Sequence, residues 1–284
     1  MKVLSKKEQL ERLEQPNAVQ WMEEYVAASD LILNAAMRKH LKFYQRPEFA
    51  AIFGNPDPKV VKIANQLSPQ EAKAIQENNG PIFTETWEKM IEIFPKEISI
   101  KLMVDYCNQH CYLHKGTLLK ALDIFGKEAK DIIVVTKSLD GSVACKILRT
   151  FTREEAKGIF LDFVNQDVSD MDDDSQLVIL RFFPMDDAVE IIKASILKVV
   201  GLKDPVQIEM FDVWPLAKCQ EILELAIERG QTLDFETLKK VVDVFPKVTA
   251  RKLIRDFFAT DSGQNYGDEY KDAIVEQLAE KEGD

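Results

Sequence analysis

The chain has 284 residues, a net charge of −11 and a pI of about 5.0. Hydrophobic residues make up 46% and charged residues 30% of the sequence, which is typical of a globular and not a disordered protein. The excess negative charge repels phosphate backbones and anionic lipids, so the composition argues against nucleic acid as a partner. No apolar run approaches the roughly 18 residues that can span a bilayer, which predicts no membrane insertion.

The first residues and the cysteines indicate a compartment. The N-terminal segment contains lysines and acidic residues but no apolar core, which predicts that it is not a secretory signal. The four cysteines are too few for a disulfide scaffold in a chain of this size: Cys107, Cys111, Cys145 and Cys219. We therefore expect a cytoplasmic protein with reduced thiols.

The first 58 residues precede the repeated part of the chain. They contain a long helical stretch from about Val19 to Tyr44 and a Pro-rich turn at Phe53–Pro58. Terminal elements of repeat proteins need a polar outer face to remain soluble. We interpret residues 1–58 as an N-terminal helical cap.

From residue 59 onward, a unit of about 30 residues recurs about seven times. Each unit is anchored on a large apolar residue followed by Pro, Ser, Thr or Gly: Leu67, Phe94, Phe125, Phe151, Phe183, Trp214 and Phe245. Apolar pairs lie three and four residues before the anchor and, in most units, eight and nine residues after it. This pattern predicts a short helix A that ends at the anchor and a longer helix B that follows it. A small residue five positions after most anchors predicts that the two helices approach closely.

These units predict an all-α fold, an αα-hairpin repeat solenoid that forms a right-handed superhelix. We expect the solenoid to cover residues 59–260, and residues 261–284 to form a loop and a C-terminal capping helix from about Asp268 to Lys281. The signature residues of tetratricopeptide and pentatricopeptide repeats are absent. The repeat therefore predicts a fold without identifying a family.

One segment has the residue types of a metal site. Cys107, His110, Cys111 and His114 are spaced so that they would share one face of a helix. Thiolates and imidazoles suit zinc, but four ligands spread along a continuous helix cannot close a tetrahedron. Cys107 also occupies a core position of the repeat, so we interpret this segment as structural and predict no metal site.

The remaining motifs argue against an enzyme. The acidic stretch from Asp167 to Asp174 lacks the Gly and Glu that a calcium loop requires at its sixth and twelfth positions, so we interpret it as a loop in which Asp174 or Ser175 caps the next helix. The sequence contains no nucleophile elbow, phosphate-binding loop, dinucleotide fingerprint or zinc-protease motif. We therefore predict no catalytic residues and no cofactor.

The sequence thus favours a non-catalytic protein–protein interaction scaffold, an adaptor, or a subunit of a larger assembly. We expect a protein partner with a neutral or basic surface, or a peptide or helix, bound along the solenoid. Exposed apolar residues of helix B would mark the site: Ile100, Val104, Ile132, Val135, Leu161, Val189 and Leu225. Two alternatives remain, an RNA-binding helical-repeat protein, and a metal-dependent regulator that uses Cys107, His110, Cys111 and His114.

Overall fold

The computed structural model describes residues 3–41, 57–78, 80–109, 112–136, 138–166, 170–198 and 200–280. Helix accounts for 78% of the described residues, and the strand among them is confined to two segments of two residues. The prediction of an all-α protein is therefore confirmed. The chain divides into two compact units, Met1–Lys137 and Ser138–Asp284, called here the N-terminal and C-terminal units.

The helices of the N-terminal unit are α1 Lys6–Arg12, α2 Ala18–Ala27, α3 Ser29–His40, α4 Pro58–Gln66, α5 Pro69–Glu77, α6 Thr84–Ile93, α7 Lys96–Asn108, α8 Lys115–Phe125 and α9 Lys130–Val135. A 3₁₀ turn, Gly126–Ala129, precedes α9. Helix α1 contacts α6, helix α2 contacts α7, and helix α3 packs on α4 and α5. The first 41 residues thus contribute to two packing clusters.

The long helix predicted from Val19 to Tyr44 is instead two helices, α2 and α3, within the described residues. The break lies at Ala28, whose backbone leaves the helical region, and the Ser29 hydroxyl donates to the Tyr25 carbonyl. Residues 42–44 and most of the predicted Pro-rich turn, residues 53–56, lie outside the described residues. The last two residues of this turn are Asp57, the N-cap of α4, and Pro58, its first residue. The Asp57 carboxylate accepts from the Lys59 amide at 2.7 Å.

The elements of the C-terminal unit are β1 Ser138–Leu139, α10 Gly141–Thr150, α11 Arg153–Val164, β2 Asp170–Met171, α12 Asp173–Phe182, α13 Met185–Leu197, α14 Asp204–Val213, α15 Leu216–Glu228, α16 Phe235–Val244, α17 Lys247–Phe258, α18 Asp261–Gln264 and α19 Asp268–Glu280. Helices α10, α12, α14 and α16 contact one another in order, and α19 packs on α16. Helices α11, α13, α15 and α17 contact one another in the same way. Strands β1 and β2 pair in parallel, with Ser138 opposite Asp170.

The anchor residues lie at the corners between paired helices, as predicted, except in one unit. At six corners the anchor is the extended residue that ends helix A, and its N–H donates to the carbonyl four residues earlier: Leu67, Phe94, Phe151, Phe183, Trp214 and Phe245. Where proline follows, it is the N-cap of helix B and not its first helical residue. A residue before proline avoids the helical region, so these prolines enforce the extended anchor.

The exception is Phe125, which is the last residue of α8, followed by Gly126 with a φ of 57°. The chain then makes a 3₁₀ turn, which has three residues per turn where an α-helix has 3.6. The buried small residue is therefore Ala129 and not Lys130, and the buried apolar pair is Ile132–Ile133 and not Ile133–Val134. The register of this unit is one residue shorter than its neighbours.

Burial confirms the predicted core columns elsewhere. Ile191, Ile222 and Leu253 are at most 2% exposed. The small residues five positions after the anchor are completely buried: Ala72, Ser99, Ala156, Ala188, Cys219 and Ala250. At the next position, Val189 is buried as well, with 5% of its surface exposed. Leu148 and Phe211 are half-buried members of the helix A pairs.

Buried glutamines join successive hairpins of the C-terminal unit. Gln176 on α12 donates to the Gly201 carbonyl at 2.7 Å and accepts from the Lys203 amide at 3.1 Å. One hairpin later, Gln207 on α14 donates to the Thr232 carbonyl and accepts from the Asp234 amide. Each glutamine therefore satisfies backbone groups of the loop that leads into the next helix A, so that a buried amide fixes the stacking register.

Ion pairs repeat at the same spacing on both layers of helices. On the helix A layer, Arg181 pairs with Glu209 and Lys240 pairs with Asp212. On the helix B layer, Lys193 pairs with Glu221 and Lys252 with Glu224. Each pair joins residues 28 positions apart on neighbouring hairpins. Complementary charges therefore follow the stacking of the hairpins.

Candidate functional site

The four residues of the possible metal segment are not all described. His110 and Cys111 lie outside the described residues. Helix α7 ends at Asn108 and His114 is the N-cap of α8, so the segment is not one continuous helix and the geometric objection to a metal site falls away. Cys107 is completely buried, whereas His114 is exposed and its Nδ1 accepts from the Gly116 amide at 3.2 Å.

Among the residues that the structure describes, no group of three or more His, Cys, Asp or Glu side chains is placed to hold a metal ion. The acidic stretch after α11 is described only from Asp170, since residues 167–169 lie outside the described ranges. Its end is a cap: the Asp172 carboxylate accepts from the Ser175 amide at 2.8 Å at the start of α12. The expected cap at Asp174 or Ser175 is therefore wrong, because Asp172 is the extended residue before the helix.

The thiol of Cys219 lacks the features of a nucleophile. Cys219 is buried, its Sγ donates to the Met210 carbonyl at 3.3 Å, and burial raises its pKa to about 11. Cys145 is half-buried on α10. At neutral pH Cys219 is therefore a protonated core residue, consistent with its position in the small-residue column.

The basic residues near the C-terminus are engaged in ion pairs. Four basic residues of α16 and α17 pair with carboxylates: Lys239 with Glu236, Lys240 with Asp212, Lys252 with Glu224, and Arg255 with Asp256. Paired and exposed charges of this kind form a solvated face and not a continuous basic stripe.

The apolar helix B residues that were expected to mark an interaction site are largely covered. Ile132 and Val189 are buried, and the others are half-buried: Ile100, Val104, Val135, Leu161 and Leu225. Adjacent hairpins pack against the helix B layer, so these residues are no longer strong candidates for the interaction site. Exposed apolar side chains occur instead at the corners.

The residue immediately before the anchor is apolar and exposed at several corners. In the C-terminal unit these residues are Phe182 and Val213, with exposed fractions of 61% and 48%. Leu216, at 38%, and Val248, at 82%, are also exposed, on the first turns of α15 and α17. We call these four residues the corner surface. The sequence carried a signal for it, because the position before the anchor is also apolar at Ile93, Ile124 and Val244.

Two residues of the corner surface lie at the same position on neighbouring helices. Phe182 and Val213 end α12 and α14, which contact each other, and stacked helices lie roughly 8–10 Å apart. These two side chains therefore lie side by side, as a short row, at about the spacing of the helices. An exposed row of apolar side chains is typical of a surface that another molecule covers.

The N-terminal unit contains a pocket of about 740 Å³. It lies between the segment that precedes α1, helix α5 and the first turns of α6, and is open to solvent. Its apolar walls include Leu4, Ala74, Ile75 and Phe83. We call it the N-terminal pocket. Its volume is within the range of ligand-binding pockets, roughly 300–1,000 Å³.

Charged side chains surround this pocket. Lys6 donates to Glu85 at 2.7 Å, and this hydrogen bond holds the pKa of the Glu85 carboxyl below its usual value. Glu71 accepts from the Ser68 amide in the capping box of α5. Glu88 is half-buried and has no ionic partner among the residues that the structure describes. His114 lies at the edge of the pocket.

No family model matches the sequence, no curated protein is significantly similar to it, and no solved structure matches it. Within the described ranges, every helix is too short or too polar to traverse a lipid bilayer.

Proposed function

We propose that this protein is a non-catalytic protein–protein interaction scaffold or adaptor, or a subunit of a larger assembly. The αα-hairpins of the C-terminal unit, with their two contacting layers of helices, support a repeat solenoid as the binding framework. The expected setting is the cytoplasm, supported by the low cysteine content.

The observation that carries the proposal is the corner surface. Phe182 and Val248 are mostly exposed although each is a large apolar side chain. Covering such side chains contributes roughly 25 cal/mol per Å² of apolar area removed from water. The net charge of −11 favours a partner with a neutral or basic surface around its own apolar patch. The binding surface proposed is therefore the corner surface instead of the helix B layer.

The test is an affinity purification from the native source. The full chain is compared with the triple variant Phe182→Asp/Val213→Asp/Val248→Asp and with the matched control Val275→Asp, whose parent residue is also exposed, at 55%, but lies on α19. We expect a protein partner that the unaltered chain and the control retain and the triple variant loses. Circular dichroism verifies that all three chains are equally helical.

Binding assays with RNA and single-stranded DNA at physiological salt complete the test. Submicromolar RNA binding without a retained protein partner contradicts the proposal and favours the RNA-binding alternative. A partner that the triple variant retains as well as the unaltered chain removes the corner surface from the proposal.

A further inference from the structure

We propose that the N-terminal pocket binds a segment of a partner protein in which apolar side chains alternate with lysine or arginine. This inference rests on the proposed function only in taking the ligand from a protein. The site is separate in kind from the corner surface, since it is a concave pocket lined by residues of the N-terminal unit alone.

The apolar part of the ligand follows from the walls. Leu4, Ala74 and Phe83 present hydrocarbon to the pocket, and water in contact with it is displaced favourably by another apolar group. The pocket is open to solvent. An open pocket suits a longer chain that lies across the opening and inserts side chains into it.

The cationic part follows from the charges. The lining contains the carboxylates of Glu71, Glu85 and Glu88 and one ammonium group, that of Lys6, which leaves a net charge of −2 when His114 is neutral. Lys6 is already paired with Glu85, and Glu71 already accepts from a helix N-terminus. Glu88 is the carboxylate that this network leaves without a partner among the described residues. A partly desolvated carboxylate beside apolar walls is stabilised by a cation placed next to it.

The test uses fluorescein-labelled peptides and fluorescence anisotropy on the full chain. The probe is Gly-Lys-Leu-Lys-Phe-Lys-Gly; the comparison peptides replace every Lys by Glu, or replace Leu and Phe by Ser. We expect the probe to bind at least about tenfold more tightly than either comparison peptide. The Glu peptide loses the charge attraction, and the Ser peptide loses the apolar contact. The variant Glu88→Gln should weaken the probe at least about threefold, and Ala74→Trp should abolish binding by filling the pocket.

The matched control is Glu97→Gln on α7, which removes an exposed carboxylate that does not line the pocket and should leave binding unchanged. Thermal unfolding confirms that each variant is folded. Equal binding of the acidic peptide, an unchanged Glu88→Gln variant, or no saturation by any peptide up to about 1 mM overturns the inference. None of these results depends on the corner surface, so failure here and failure of the proposed function are distinguishable.

Discussion

Gly141 and Asp174 are in direct contact: a Cβ atom placed on Gly141 would lie 2.5 Å from the Cβ atom of Asp174. They occupy the first turns of α10 and α12, two helices that pack closely. The absence of a side chain at Gly141 therefore permits the approach of these two hairpins. We predict that Gly141→Ala destabilises the protein by roughly 1–3 kcal/mol, as overpacking of a tight contact does.

Urea unfolding measures this effect, and Gly158→Ala is the matched control. Gly158 lies inside α11, and apart from the adjoining residues and backbone of its own helix no heavy atom lies within 4 Å of the Cβ position at that residue. Alanine there should stabilise the helix by roughly 0.5–1 kcal/mol. Equal effects of the two substitutions would show that the contact between Gly141 and Asp174 is not tight in solution.

Gln207 provides a second prediction, on the stacking of hairpins. Its amide donates to the Leu202 and Thr232 carbonyls and accepts from the Asp234 amide while remaining fully buried. Gln207→Ala leaves these backbone groups without their partner, and we expect a loss of about 2–3 kcal/mol in the free energy of unfolding. Gln220→Ala, which removes a side chain that pairs with Glu224 one turn away, should cost much less.

Helical periodicity in the sequence predicts the burial of some of these residues and not of others. The columns at Ile191 and Ile222 were predictable because helical spacing alone decides which side chains face a neighbouring helix. Gln207 has the polarity of a surface residue, and its burial follows from loop carbonyls that have no local signature. The same is true of Gln9, which donates to the Pro81 carbonyl 72 residues away and holds α1 near the start of α6.

The candidate sites were less predictable than the core. The corner surface has a sequence signal, an apolar residue before five of the seven anchors, but the exposure of that residue depends on how the hairpin closes. The N-terminal pocket combines residues 3–6 with residues near 74 and 83, so it exists only through tertiary packing. No pattern of residue spacing links those segments.

A third prediction concerns pH. Lys252 and Gln220 donate hydrogen bonds to Glu224 at 2.6 and 3.1 Å, and Lys252 is the main reason that the pKa of Glu224 lies below its usual value. A carboxyl with a lowered folded pKa stabilises the protein above its unfolded pKa of about 4.3, and this stability is lost as the pH falls through the folded value. Lys252→Gln should therefore reduce stability at pH 7 and have little further effect below the folded pKa of Glu224.

The effect is small because the pair is exposed to solvent, so we expect only a slight lowering of the urea midpoint at pH 7. Urea midpoints from about pH 7 down to about pH 3 measure the difference between the variant and the unaltered chain. Lys198→Gln, at an exposed residue of α13's C-cap, is the control and should leave the pH profile unchanged. A difference that grows as the pH falls would contradict the assignment to Glu224.

The last prediction is that the purified full chain binds no stoichiometric zinc. The reason is no longer the geometry of a continuous helix, since α7 ends at Asn108 and His114 begins α8. It is the position of the two described candidates: Cys107 is buried in the core, and the Nδ1 atom of His114 is occupied by the Gly116 amide. A zinc ligand set would have to draw Cys107 out of the core, and leaving a cavity there costs several kcal/mol, about 2–5 for large-to-small core changes.

Elemental analysis after dialysis against zinc-containing and then zinc-free buffer measures the bound zinc, and we expect well under about 0.1 zinc per chain. Structural zinc sites are held with about 10–16 kcal/mol and survive this treatment. One zinc per chain that disappears in the Cys107→Ser/Cys111→Ser variant would contradict the prediction and restore the metal-dependent alternative.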